Sequence, residues 1–216
     1  MLMPMKTLTE QILDSTRQLP EGEVVMPGSF LHIGSRSAVQ RGLSDLVAEG
    51  KLLRIERGFY VATIESRFGV RSPAPERVVR SWGSARGEVI VHSGARSANK
   101  LGLTTQVPVR LVYLSSGRSR ELRIGRLIVS IHHAPRWSMA LGDTGVGEAI
   151  RAIEWLGPLW AAKALQKLHN LLPAAEWSAL VGAQNCVPDW IGSAIRTHLE
   201  QAACAVNKPQ FNGHPF

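Results

Sequence analysis

The stretch that decides the fold is residues 24–62, VVMPGSFLHIGSRSAVQRGLSDLVAEGKLLRIERGFYVA. A short helical segment at 28–33 is followed by a turn. Ser35 then stands where a helix N-cap accepts an orphan backbone N–H. Helical spacing predicts a second helix over 36–49, and Gly50 provides the glycine that commonly ends a helix. The order of short helix, turn and capped helix predicts a helix-turn-helix.

The predicted second helix has two different faces. Its apolar residues recur at helical spacing and form the face expected to pack inward: Val39, Leu43, Leu46 and Val47. The opposite face carries short polar and basic side chains, which suit the base edges and phosphates of DNA. The candidate DNA contacts at the start and on the outer face of this helix are Ser35, Arg36, Ser37, Gln40, Arg41 and Ser44.

A predicted β-hairpin follows this helix directly. Segments 51–55 and 59–62 read as strands joined by a tight turn, with Arg54 and Arg57 near its tip. Helix-turn-helix and basic hairpin together predict a winged helix-turn-helix DNA-binding domain over residues 5–64. Because some winged helices bind proteins instead, the motif alone leaves the partner open.

The rest of the chain completes an α+β fold. Residues 65–76, with two prolines and a glycine, are the predicted linker, and 77–205 are the predicted C-terminal domain. Its first part is a small mixed α/β region whose last three strands are expected to pair antiparallel. Its second part is helical, and its tryptophans are expected to pack inward.

The charge of the chain is concentrated in its middle. The 216 residues carry a net charge of +8, of which the segment 81–140, with nine basic and two acidic residues, carries +7. Such a charge favours a polyanionic partner. The candidate basic surface, which could serve DNA binding or another role, is Arg96, Lys100, Arg118, Arg120 and Arg123. For 94–108 the sequence leaves open whether a phosphate-binding surface or a solvated helix is present.

No catalytic or metal-binding pattern stands out in the sequence. No Ser/His/Asp or Cys/His set is present, and the scarcity of carboxylates in 81–140 argues against a metal-dependent nuclease. His92, His132 and His133 are interpreted as structural or surface residues, so no metal and no cofactor is predicted. Cys186 and Cys204 are expected to be free, buried thiols, although a disulfide between them stays open. The N-terminus lacks a signal peptide, and a cytoplasmic location without membrane contact is expected.

The segments LVAEGKLLRIERGFYVA (46–62), VIVHSGARSANKLGLTTQVPVRLVYLSSGRSRELRIG (89–125) and LIVSIHHA (127–134) resemble the AbiE-type antitoxins of type IV toxin–antitoxin systems. The resemblance extends over about residues 5–200. Its more specific part is GARSANKLGLTTQVP with LSSGRSR, because the winged helix is shared with many regulators.

The resemblance implies a function without enzymatic activity. Such antitoxins repress their own operon by binding promoter repeats through the N-terminal winged helix, and they counteract a nucleotidyltransferase-type toxin without needing a stable complex with it. Three alternatives stay open: a protein-interaction module that directly binds an acidic partner, an unrelated winged-helix transcriptional regulator, and a nucleic-acid enzyme.

Overall fold

The structure, a computed structural model, describes residues 6–206, and of 205–206 only the backbone. It has mixed α/β architecture, which confirms the predicted α+β class at that level. The helices and strands are, in chain order, α1 (Leu8–Arg17), β1 (Val24–Val25), a 3-10 helix (Pro27–Phe30), α2 (Arg36–Ala48), β2 (Leu52–Glu56), β3 (Phe59–Ala62), β4 (Ile64–Ser66), β5 (Gly69–Arg71), α3 (Pro75–Arg86), β6 (Ile90–His92), α4 (Gly94–Lys100), β7 (Leu111–Ser115), β8 (Arg120–Ile124), β9 (Leu127–His133), α5 (Arg136–Met139), α6 (Gly145–Leu156), α7 (Pro158–Leu171), α8 (Ala174–Gly182), a second 3-10 helix (Ala183–Asn185) and α9 (Asp189–Val206).

The chain folds into two compact units that alternate along the sequence. Among the described residues, the first contains 6–90 together with Arg110–His133, and the second contains Val91–Val109 and 134–206. The division differs from the predicted boundaries, because β7–β9 belong to the same unit as residues 6–64. The predicted linker at 65–76 holds most of a β4–β5 hairpin, paired antiparallel, and the start of α3.

The first unit has two hydrophobic clusters. One joins α1 and α2 to the small sheet β1–β3–β2 through fully buried residues such as Ile12, Val39 and Leu43. The other joins the opposite side of that sheet to α3 and to β7–β9, with Trp82 fully buried at its centre. Because the β2–β3 hairpin contributes to both clusters, it is held by packing on both faces.

The pairing of β7, β8 and β9 differs from the prediction. β9 lies between the other two strands, antiparallel to β8 but parallel to β7, so the expectation that all three pair antiparallel was wrong. The segment 116–119 is an open loop that connects β7 to β8. The end of β9 lies between these two strands. There the backbone N–H of His133 donates to Ser119 Oγ, and His133 Nδ1 lies 2.8 Å from Gly117 O.

The second unit is mainly helical and has its own core, formed by α6–α9 with buried side chains such as Ile150, Leu165 and Ile195. The predicted helices after residue 143 are confirmed. The expectation that the tryptophans there all face inward was wrong, because Trp155 and Trp160 are 43% and 56% exposed. Cys186 and Cys204 are free, as expected, but exposed rather than buried.

Candidate nucleic-acid interface

The outer face of α2 is built by local sequence signals. Ser35 caps the helix, its hydroxyl accepting the backbone N–H of Ala38 at 3.4 Å, and Gly50 beyond the C-terminal end has a φ of 71°. Of the predicted apolar face, Val39, Leu43 and Leu46 are buried and Val47 is partly buried. The predicted contact residues Ser35, Arg36, Ser37, Gln40, Arg41 and Ser44 are all exposed. A row of hydroxyl, amide and guanidinium groups therefore faces solvent along α2.

Two glycines allow α1 and α2 to approach closely. A Cβ at Gly42 would lie 3.3 Å from Ile12 Cδ1 and from Thr9 Oγ1. A Cβ at Gly34, in the turn before α2, would lie 3.0 Å from the side chain of Leu8. The orientation of α2 is therefore fixed by the close packing of these two glycines against side chains of α1.

The β2–β3 hairpin presents the two other predicted contacts. Arg54 lies opposite Tyr60 in the antiparallel register, and a bulge follows between Arg54 and Glu56. Both Arg54 and Arg57 are exposed, whereas Ile55 between them is buried. The hairpin and α2 belong to the same compact unit and share its first hydrophobic cluster, so the eight predicted residues are carried on one framework.

An ion-pair network ties the end of β2 to the rest of this unit. Glu56 accepts hydrogen bonds from Trp82 Nε1 at 3.0 Å and from Arg86 at 3.3 Å. Arg86 and Arg120 also reach Glu88, at 3.0 and 3.2 Å, and the Arg120 guanidinium lies 5.1 Å from the centroid of the Trp82 ring. One signal for this network is visible in the sequence, since Glu88 is one of only two acidic residues in the basic middle segment.

Glu88 is held in its charged form by this network. Burial raises the pKa of Glu88. Hydrogen bonds from Ser115 and Arg86 and the charge of Arg120 outweigh burial, so the pKa lies below the ordinary value of a glutamate.

The structure separates the predicted basic surface into different kinds of site. Arg118 and Arg123 are exposed in the first unit, whereas Arg120 has only 14% of its side chain exposed and is paired with carboxylates. Arg96 and Lys100 belong to the second unit, where Lys100 Nζ lies 2.7 Å from Glu148 Oε1. The five residues therefore do not form one continuous basic surface within either unit.

The second unit brings together three side chains that the sequence analysis did not group. Donor atoms of His92, Asp143 and Glu148 all lie within 4.8 Å of one another. Burial lowers the pKa of His92 below its ordinary value, while the carboxylates of Asp143 and Glu148 act in the opposite direction. Since His92 is distant in sequence from Asp143 and Glu148 and no ligand-spacing motif is present, only the tertiary structure reveals the cluster.

Comparison with known proteins gives a family for this chain. Residues 11–177 match the model of DUF6088, a family of unknown function, and the chain belongs to that family. No curated protein and no solved structure matches. Among the described helices, none combines the length and apolar character needed to cross a membrane.

Proposed function

We propose that this protein is a DNA-binding antitoxin of the AbiE type, which represses its own promoter and counteracts a nucleotidyltransferase-type toxin. The observation that carries the proposal is the exposed polar and basic face of α2, together with the exposed arginines of the β2–β3 hairpin in the same compact unit. The proposal assigns DNA contact to the winged helix-turn-helix and no enzymatic activity to the chain. The proposal includes a cytoplasmic location.

The order of elements in the first 62 residues supports the winged-helix assignment. Helix, short strand, helical turn, helix and β-hairpin follow one another, and the three strands form the sheet β1–β3–β2. In a helix-turn-helix, the second helix enters the major groove and presents side chains to base edges. Here α2 is the second helix, and its inner face is fully committed to the core.

The proposed mechanism divides the work between two kinds of contact. Arginines of the hairpin and the exposed Arg118 neutralise phosphates and give affinity that falls steeply with salt. Arg41, Gln40 and Ser44 contact base edges, where a good bidentate pair contributes about 1–3 kcal/mol of discrimination. Arg120 is excluded from the DNA surface, because its guanidinium is engaged with Glu56, Glu88 and Trp82.

A gel-shift titration of the full chain tests the proposal. The probe is the DNA immediately upstream of its own gene, the control is scrambled DNA of equal length, and both are titrated at two salt concentrations. We expect tighter binding to the upstream DNA at both salts. Equal affinity for both DNAs, lost together as salt rises, would contradict the autorepressor role.

A second candidate function is direct binding of an acidic protein partner. It is favoured by an exposed apolar region at the start of α7, where Leu159 and Trp160 are 94% and 56% exposed. Lys163 and Lys167 follow on the same helix, which contains no acidic residue. Co-purification of the protein with the product of the neighbouring gene tests this candidate, and we expect Trp160→Ala to abolish the association.

A further inference from the structure

We propose that His92, Asp143 and Glu148 form a binding site for a divalent first-row metal ion. One imidazole nitrogen and two carboxylate oxygens lie within 4.8 Å of one another. Three protein ligands leave coordination positions for water or a substrate, as in open metal sites. This inference is independent of the proposed DNA binding, because all three residues belong to the second compact unit.

The three ligands are positioned by secondary structure. His92 is the last residue of β6 and directly precedes Ser93, the N-cap of α4. Glu148 lies in the first turn of α6, whose N-cap Thr144 accepts the backbone N–H of Gly147 at 3.1 Å. α4 and α6 pack directly against each other. This packing brings the imidazole close to the carboxylates without any movement of flexible loops.

The loop that carries Asp143 is also closely packed. A Cβ at Gly147 would lie 2.6 Å from Gly142 O and 3.0 Å from Arg151 Nη1. Arg151 is fully buried, and its Nη1 donates to the carbonyls of Ser138 and Gly142 at 3.0 and 2.9 Å. Arg151 therefore holds the backbone next to Asp143, while the Asp143 side chain itself is exposed. The site is consequently open to solvent on the side of Asp143.

Glu148 requires a counter-charge in the folded protein. It is only 3% exposed, and an isolated buried carboxylate is strongly unfavourable. In the structure, the Lys100 ammonium supplies this charge at 2.7 Å. The Lys100 side chain is 60% exposed, so it can leave Glu148 and be solvated with little other loss. We therefore infer that the metal ion and Lys100 compete for the same carboxylate oxygens.

The donor set selects the class of metal. Mg²⁺ and Ca²⁺ prefer ligand sets made entirely of oxygen, whereas an imidazole ligand suits Zn²⁺ and its first-row neighbours. The two carboxylates also suit Mn²⁺. Arg96 and Arg151 add positive charge to the surroundings of His92 and the carboxylates. This charge lowers metal affinity, and we expect binding much weaker than that of a structural zinc site.

Isothermal titration of the full chain with MnCl₂, and separately with ZnCl₂, tests the site. We expect saturable binding of one ion, weakened at least about tenfold in His92→Ala and in Asp143→Asn. Asp143→Asn preserves side-chain shape at an exposed position, so it tests the ligand without disturbing the fold. His132→Ala, an exposed histidine in the first unit, is the matched control and should bind the ion as the unmodified chain does.

A second histidine pair requires its own control. His169 Nδ1 lies 3.2 Å from His198 Nε2, close enough for both to hold a zinc ion. Binding at the proposed site should persist in His169→Ala. Loss of the signal in that variant, or full retention in both His92→Ala and Asp143→Asn, would overturn the proposal, as would the absence of saturable binding to the unmodified chain.

Lys100→Met provides the sharpest discrimination between a metal site and a simple ion-pair cluster. If Lys100 competes with the ion, its removal should tighten Mn²⁺ binding by at least about tenfold, because the ion no longer displaces an ammonium group. An ion-pair cluster without metal affinity predicts no such gain. Unchanged or weaker Mn²⁺ binding in the folded variant therefore counts against the site.

Discussion

Individual arginines of the basic middle segment have different roles, although the sequence presents them as one group. Arg118 is exposed in the loop between β7 and β8, whereas Arg120, two residues later, is engaged with Glu56, Glu88 and Trp82. The partners Glu56 and Trp82 are far from Arg120 in sequence. A charge count cannot anticipate such pairing, because it depends on which distant strand and helix pack beside β8.

The division between base-edge and phosphate contacts predicts different effects for two arginines. Arg41→Ala should weaken binding to the upstream DNA by about 1–3 kcal/mol and relax sequence preference, because it removes a base-edge contact. Arg118→Ala should weaken binding to specific and random DNA alike. Gel shifts on both DNAs measure these effects. Equal losses on the two DNAs for both variants would show that the proposed division is wrong.

The pH dependence of stability should report the charged state of Glu88. Its pKa in the folded chain lies below the ordinary value of about 4.3, so its stabilising contribution is complete above that value. The contribution is lost as the pH falls through the folded-state pKa. Chemical unfolding at a series of pH values should show a shallower acid decline in Glu88→Gln than in the unmodified chain. Parallel curves for the two proteins would argue against this role.

At the scale of elements, α2 was predictable because its signals are local. The Ser35 cap, the apolar spacing and Gly50 lie within or beside the helix, and the observed Arg36–Ala48 agrees with the predicted 36–49. The pairing of β7 with β9 was not predictable. The position of β9 between β7 and β8 depends on packing between strands that are distant in sequence. A short connection between consecutive strands favours the antiparallel pairing that the sequence analysis expected.

The contact between α4 and α6 provides an element-scale prediction. A Cβ at Gly94 would lie 2.6 Å from Trp155 Cβ and even closer to the carbonyl oxygen of Arg151. Gly94→Ala should therefore lower the free energy of unfolding by about 1–3 kcal/mol, because backbone must move to make room.

Gly182→Ala is the matched control for this prediction. Gly182 is the last residue of α8, and no heavy atom lies within 4 Å of its added Cβ. We expect a neutral or slightly stabilising effect, since alanine favours helix more than glycine does. Denaturant unfolding monitored by circular dichroism measures the free energy of unfolding of both variants. Equal effects would show that the close contact between α4 and α6 does not disfavour a side chain at position 94.

At the scale of the whole molecule, the two units alternate along the chain, and this has a consequence for fragments. A fragment of residues 1–64 keeps the predicted winged helix but loses α3 and β7–β9. Ile55 and Val61, which are 2% and 1% exposed in the full chain, pack against those elements. In the fragment these two side chains become exposed to water. The favourable free energy of their burial, which is then lost, is large compared with the free energy of unfolding of a small domain.

We therefore expect fragment 1–64 to unfold without a cooperative thermal transition. Fragment 1–133, which retains α3 and β7–β9, is the control and should recover a transition. Thermal unfolding followed by circular dichroism compares the two. A fragment 1–64 as stable as fragment 1–133 would mean that the second hydrophobic cluster contributes little to the stability of residues 6–64.

The sequence by itself determined α2, its exposed face and the helices after residue 143, because caps, glycines and apolar periodicity act within a few residues. It also determined that the predicted DNA contacts of α2 point to solvent, since they lie opposite the apolar positions of the same helix. Only the tertiary structure decided the order of β7, β9 and β8, the pairing of Arg120, and the meeting of His92 with Asp143 and Glu148. These features join residues far apart in the chain, and their free energies depend on burial and distance, which no local pattern encodes.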